Sequence, residues 1–268
     1  MTPLGDADVH VHYCFTHAIT DDEHGASLEV LSADERARAS RFVFAPDARA
    51  FVAAHALVRR ALSLYVDVAP PRWVLTQNSY GKPRLFDTPD GESLQFNLSH
   101  TRGLVACAVA RRSELGIDVE PIQTRVAPLE LAQRFFSPAE VAELRACVDQ
   151  DRQIRFVEIW TLKEAFIKAL GLGLSHPLDS FSFRRDDPAR VGFEAPAGHD
   201  PSAWQFALFA PTPDYRLSVG VRRPKGRTHE ISVWRACPTE LLLSAPPCIL
   251  GRFNPQANAC QVFGGSDE

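Results

Sequence analysis

The chain has no CxxC pair and no apolar run that approaches the length of a membrane span. Its six cysteines, Cys14, Cys107, Cys147, Cys237, Cys248 and Cys260, stand singly, at spacings that fit no zinc template. Scattered single cysteines suit a reducing compartment, where they behave as small hydrophobes. The first residues, MTPLGDADVH, lack both the basic segment and the apolar core that open a secretory signal. A cytoplasmic protein with no membrane association is therefore expected. Positive charge is not in excess either. A formal net charge of −4 leaves no bulk basic footprint, so nucleic acid is not expected as a partner, although this does not exclude a small basic pocket. No Walker-A segment, no HExxH and no short-period repeat is found.

What is there is ordinary material for a packed core. The 268 residues are 45% hydrophobic, enough for one large domain or two small ones. Val9, Val11, Tyr13 and Phe15 alternate with His10, His12, Cys14 and Thr16, which predicts a strand with one apolar face. His10, His12 and His17 read as polar positions of that strand rather than as metal ligands.

Ser32-Ala-Asp-Glu35 has the form of a capping box and opens a helix to about Ala39. Pro46-Asp47 opens a longer one to about Tyr65. Short strands are predicted near 73–76, 84–86, 94–98 and 104–110. A polar connector, Arg111–Glu114, comes next. Beyond it the order is a strand at Leu115–Val119, helices near 128–135, from Ser137 and over about 151–170, and strands near 181–184, 192–194, 204–209, 217–221 and 231–234.

Helices followed by strands thus occur on each side of residue 112. The expected fold is α+β, with two similar α+β halves. The halves are assigned to 1–112 and 113–235, and the proline-bearing remainder, 236–268, is read as a loosely packed extension.

Four segments carry candidate chemistry. In Gly116-Ile-Asp118-Val-Glu120, two acids on one strand face lie about 7 Å apart. At an effective dielectric of 20 they repel by about 2–3 kcal/mol. Either the strand end is well solvated or a cation sits between the carboxylates. In RFVEIWTLKEAFIKALGLGL, Trp160, Glu164 and Lys168 share a helical stripe, which by itself fits a surface ion pair. In FFSPAEVAEL, Glu140 stands three residues after Ser137 and is first a capping-box glutamate. In SYGKPRL and FNLSHTRG, Gly81 permits close approach of a ligand and Lys82 is a point charge suited to phosphate, while Ser99-His100 could bind phosphate or cap a loop.

Taken in order, YGKP, FNLSH, GIDVE, FSPAE and WTLKEAFIK resemble the Sfp-type phosphopantetheinyl transferases from about Glu35 to Phe183. ERARASRFVFAPDARA is similar to that family's basic entry helix, with Ala39 and Ser40 interrupting the basic run and Phe51 where some relatives carry a small polar residue. The resemblance implies two halves related by a pseudo-twofold, a monomer, and transfer of 4′-phosphopantetheine from coenzyme A to a serine of an apo acyl or peptidyl carrier protein. It implies Mg²⁺ beside Asp118, Glu120 and Glu164, with Lys168 holding a phosphate oxygen. It also implies coenzyme contacts from Arg38, Gly81, Lys82, Asn97, Ser99 and His100. Glu164 is the first candidate for the base, with Glu140 or a metal-bound water second. The alternatives are a catalytically silent carrier- or coenzyme-binding module and another metal-dependent phosphate enzyme, such as a nucleotide hydrolase.

Overall fold

The computed structural model describes residues 3–86, 94–123, 127–185, 190–223, 227–236 and 248–253. One series of eight elements occurs twice along them. The first series is β1 (Asp8–Phe15), α1 (Asp21–Glu29), α2 (Ala33–Ala39), α3 (Ala45–Ser63), β2 (Leu75–Gln77), β3 (Pro83–Leu85), β4 (Leu94–Thr101) and β5 (Leu104–Arg111). The second is β6 (Leu115–Pro121), α4 (Pro128–Phe135), α5 (Pro138–Ala146), α6 (Asp149–Leu170), β7 (Ser182–Arg184), β8 (Gly192–Glu194), β9 (Trp204–Ala210) and β10 (Tyr215–Arg222). Two strands follow, β11 (Glu230–Arg235) and β12 (Cys248–Phe253).

The sheets repeat the same order. The first is β11-β1-β5-β4 and the second β12-β9-β10-β6, so β1-β5-β4 corresponds to β6-β10-β9. The fold is α+β with two like halves. The sheets do not divide at residues 112 and 235, however. β11 lies within the 113–235 stretch, yet it pairs parallel with β1 of the first half. β12 lies within 236–268 and pairs antiparallel with β9, so that stretch contributes a strand rather than only a loose tail. Its other residues, 237–247 and 254–268, lie outside the described ones.

Alternation decides what each sheet face meets. Val9, Val11, Tyr13 and Phe15 join Leu115, Ile117 and Val119 in a core between the halves. The opposite face of the first sheet, with Cys14, Val105, Cys107 and Val109, packs on α3 residues Ala54, Leu57, Val58 and Ala61. On the second half, Leu162, Phe166 and Ile167 of α6 pack with Trp204, Phe206 and Leu208 of β9. Phe166 is fully buried among aromatic rings, at 4.8 Å from those of both Phe181 and Trp204. His10 and His12, turned toward α3, hydrogen-bond the Tyr65 hydroxyl at 3.0 Å each. Trp234 stacks on His12.

An internal likeness survives in side chains as well. In each half the helix before the long one opens with a capping box, Ser32/Glu35 and Ser137/Glu140. In each, the capping glutamate also pairs with a cation of the long helix. Arg59 meets Glu35 at 2.7 Å and Lys163 meets Glu140 at 2.8 Å. Each cation then donates to carbonyls of the segment leading to the small hairpin, Pro70 and Trp73 for Arg59, Leu178 and Phe181 for Lys163. Glu35 is held down at about 2; burial opposes this, but the hydrogen bonds from His55 and the Ser32 N–H and the charges of His55 and Arg59 outweigh it.

Candidate active site

The acids of the second half lie where the two sheets meet at their edges. β4 ends one sheet and β6 ends the other, and no backbone ladder joins them. Side chains do so instead. Asn97 Oδ1 accepts from the Ile117 N–H at 2.9 Å, Ser99 Oγ from the Val119 N–H at 3.3 Å, and Thr101 Oγ1 donates to Glu120 at 3.3 Å. Asn97, Ser99 and Thr101 are alternate residues, so one face of β4 supplies all three. The polar period in FNLSHT is the sequence signal for this seam, in which Asn97 and Ser99 hold the edge of β6.

Helix α6 covers the seam at very short range. A Cβ on Gly116 would lie 2.1 Å from the Ala165 carbonyl oxygen and 2.5 Å from the Ala169 nitrogen. Its partner across the ladder is Gly220, also close to Ala165. Two glycines side by side thus let the helix backbone rest on the strands. Two residue pairs further, opposite Asp118, fully buried Ser218 hydrogen-bonds fully buried Thr161 of α6 at 2.8 Å.

This approach brings Lys168 to Asp118. Its Nζ donates to Asp118 Oδ1 at 2.6 Å and to Ser99 Oγ at 3.0 Å, and the Ser99 hydroxyl donates to the same Oδ1 at 2.9 Å. Asp118 is 3% exposed, and its second oxygen, Oδ2, is buried with no hydrogen-bond partner among the described residues. Glu120 and Glu164 complete the acidic group. Burial and then the Asp118 charge push both up to about 7, against the pull of Lys168. Such shifts mark carboxyls that are desolvated first and only then repelled by a neighbouring carboxylate.

Among the described residues, no three His, Cys, Asp or Glu side chains stand ready as a metal cage. The donor set nevertheless fits a hard divalent cation. All the donors are carboxylate oxygens, one of them buried, and two of the acids are held up first by burial and then by the Asp118 charge, which a cation would offset.

Cations continue away from the acids. Partial desolvation, followed by the charges of Lys168, His55 and Arg38, holds His100 below the usual histidine range. The charges that act on His100 thus include Lys168 at the acid seam and His55 and Arg38 of α3 and α2. Arg38 lies over the Phe51 ring at 5.2 Å, so the residue that departs from the family pattern serves as the platform of the arginine. A cleft of about 690 Å³ opens there, lined by Arg38, Phe51, His55, Trp73, Thr76 and Gln77 among others. A second cavity of about 500 Å³, lined by Lys82, Gln95, Glu114 and Gly171 among others, spans the two halves. The three acids line neither cavity.

Two expected residues are placed elsewhere. Glu140 is 0% exposed and fully engaged by the Lys163 ammonium, the Ser137 N–H and the Phe183 N–H. Enclosed in this way, it offers no oxygen to a reacting hydroxyl, and its role is that of its counterpart Glu35. Lys82 donates to the Leu115 and Ala169 carbonyls at 3.1 Å each, and burial lowers it to about 8. Gly81 is needed for its backbone, at φ +84° in the turn that Asn78 closes. Sequence reasoning also missed His55, which hydrogen-bonds Glu35 at 2.8 Å beside the cleft; its only signal is its position on α3, one turn before Arg59.

Comparison with known proteins agrees with this geometry. Residues 114–220 match the 4′-phosphopantetheinyl transferase superfamily, and residues 18–112 match the 4′-phosphopantetheinyl transferase N-terminal family. The chain is 32% identical over 206 residues to the 4′-phosphopantetheinyl transferase Sfp of Bacillus subtilis strain 168, covering 77% of this chain and 88% of that protein. A second Bacillus subtilis 4′-phosphopantetheinyl transferase is 33% identical over 202 residues, covering 75% and 87%. HetI of Nostoc sp. strain PCC 7120, also a 4′-phosphopantetheinyl transferase, is 41% identical over 145 residues, covering 54% and 61%. The two-half fold with acids at its seam is therefore that of a group-transfer enzyme. The chain belongs to the 4′-phosphopantetheinyl transferase family.

Proposed function

We propose that this protein transfers the 4′-phosphopantetheine group of coenzyme A to a serine hydroxyl of an apo acyl or peptidyl carrier protein and releases adenosine 3′,5′-bisphosphate. What supports this reading is the family membership together with the Lys168–Asp118 pair at the acid seam and the cleft lined by Arg38 and His55. A donor with a diphosphate and a phosphorylated nucleoside suits cations at both places. Mg²⁺ held by Asp118, Glu120 and Glu164 would supply charge neutralisation at the diphosphate.

The chain's own residues do the rest. Lys168 holds a phosphate oxygen, and its short bond to Asp118 keeps it aimed at the seam. Glu164 accepts the proton of the carrier serine as that oxygen attacks phosphorus. The bond from phosphorus to the bridging oxygen of the bisphosphate breaks, and the bisphosphate leaves with that electron pair. Arg38 and His100, with His55 beside them, bind the nucleotide end. The protein acts as a monomer, since both halves of the site come from one chain, and in the cytoplasm, which suits its scattered single cysteines. Among the described residues, no helix is long and apolar enough to cross a membrane.

The test is incubation with coenzyme A, Mg²⁺ and several apo carrier proteins, read by mass spectrometry. A phosphopantetheine adduct on the carrier serine is expected. Bisphosphate release without any carrier would point to a hydrolase. Coenzyme binding with no turnover on any carrier would point to a silent binding module.

A further inference from the structure

Helix α6 carries Glu164 and Lys168, and something must fix its C-terminal end. The last carbonyls of a helix have no partner inside it. Here one partner comes from the other half of the molecule. Lys82 Nζ, in the β2–β3 turn, donates at 3.1 Å to the carbonyl of Ala169 and at 3.1 Å to that of Leu115, the first residue of β6. Asn78 Nδ2, at the other end of the turn, donates to the Gly171 carbonyl at 2.8 Å.

Gly171 is the left-handed residue that ends α6, at φ +72°. A Cβ there would lie 3.1 Å from Asn78 Nδ2 and 3.3 Å from Lys82 Cδ, so the turn rests directly on the helix end. Asn78 also shapes the turn, because its Oδ1 accepts from the N–H groups of Tyr80 and Lys82 at 2.9 Å each.

We propose that the Asn78–Lys82 turn is a clamp, in which Lys82 and Asn78 of the first half bind the C-terminal carbonyls of α6 together with the first carbonyl of β6. The two elements joined by Lys82 are those that carry Lys168 and Asp118. Lys82 is then a positioning residue and not a phosphate ligand. A cation at the negative end of a helix is electrostatically favourable, and the two acceptors use two of its three donors. The consequence for catalysis rests on the reading of Asp118 and Lys168 given above; the clamp itself does not.

The test uses the full chain with Lys82→Met, which keeps the aliphatic stem, and Asn78→Asp, which keeps the turn acceptor and loses the donor to Gly171. Amide hydrogen exchange over residues 167–171 is measured for each, with affinity for adenosine 3′,5′-bisphosphate and the kcat and KM of transfer. The clamp predicts exchange at least tenfold faster at the helix end in both variants, bisphosphate affinity within twofold of wild type, and a kcat loss of tenfold or more with KM for coenzyme A little changed. Unchanged exchange with bisphosphate affinity down tenfold in Lys82→Met would overturn it and make Lys82 a phosphate ligand. Unchanged exchange in folded Asn78→Asp overturns it even if Lys82→Met does not fold. If the wild-type chain transfers nothing, the exchange arm still decides the clamp.

Discussion

A single methyl group at residue 116 tests how the site is assembled. In Gly116→Ala the new Cβ would stand 2.1 Å from the Ala165 oxygen and 2.5 Å from the Ala169 nitrogen. Ordinary contact between such atoms needs about 3.5 Å, so helix and strand must separate by about 1 Å or more. Both obstructing atoms are helix backbone, which cannot rotate away as a side-chain tip could. Overpacking of this kind costs about 1–3 kcal/mol, with larger values in rigid places. At about 2–4 °C per kcal/mol for a chain of this size, melting should fall by roughly 2–12 °C.

The larger effect is expected in turnover. Lys168 meets Asp118 at 2.6 Å from the helix that has been displaced. A misplacement of about 1 Å at reacting groups lowers rates about 100-fold. The assay pairs thermal melting with initial rates of carrier modification. Gly25→Ala serves as control, because a Cβ added to that helical glycine would meet nothing within 4 Å, and the change should gain about 0.5–1 kcal/mol. A Gly116→Ala protein with wild-type melting and wild-type turnover would refute the close-packed seam as the device that aligns the site.

Other outcomes follow from the same contacts. Asp118→Ala and Glu164→Gln should each lower transfer by about 100-fold or more while the chain stays folded by circular dichroism; wild-type turnover in either removes that acid from the chemistry. Glu140→Ala leaves the buried Lys163 without its counter-ion and should cost about 3–5 kcal/mol of stability, whereas a large rate loss at unchanged melting temperature would return Glu140 to the reaction. Chelation of divalent metal should abolish transfer, and added Mg²⁺ should restore it; full turnover in excess chelator would contradict the cation reading.

Stability should also fall in acid through His12, which desolvation lowers from 6.5 to about 4. With the folded value below the unfolded one, the unfolded chain takes the proton first, so the contribution is complete above 6.5 and is lost as pH falls toward 4. At pH 5 this loss is about 2 kcal/mol, and His12→Gln should show a correspondingly shallower decline of melting temperature between pH 7 and pH 5.

Local patterns carried the elements well. Capping boxes at Ser32 and Ser137 mark helix starts that the structure contains, and alternation from Val9 to Phe15 marks β1. Helix α1 escaped the reading although Thr20-x-x-Glu23 is a capping box of the same form, because no apolar periodicity follows it. The two similar halves were expected from element order, but the side-chain likeness between them escaped for a different reason. What the halves share is element order and the Glu35–Arg59 and Glu140–Lys163 pairs, whose partners lie far apart along the chain. Glu140 shows the limit most clearly, since its capping-box position was legible but the buried lysine that consumes its charge was not.

The sequence alone determined residue-by-residue properties: where helices start, which strand face is apolar, and that Asp118, Glu120, Glu164 and Lys168 occur in segments resembling one family of transferases. It could do so because capping, alternation and helical spacing involve neighbours only a few residues apart. Only the tertiary structure decided which distant groups each polar side chain meets: Lys82 two carbonyls, Asn97 and Ser99 the edge of β6, and Glu140 the Lys163 ammonium. Asp118 keeps one buried oxygen that no partner among the described residues reaches. Electrostatic role depends on distance and desolvation in space, and neither is written in the spacing of residues along the chain.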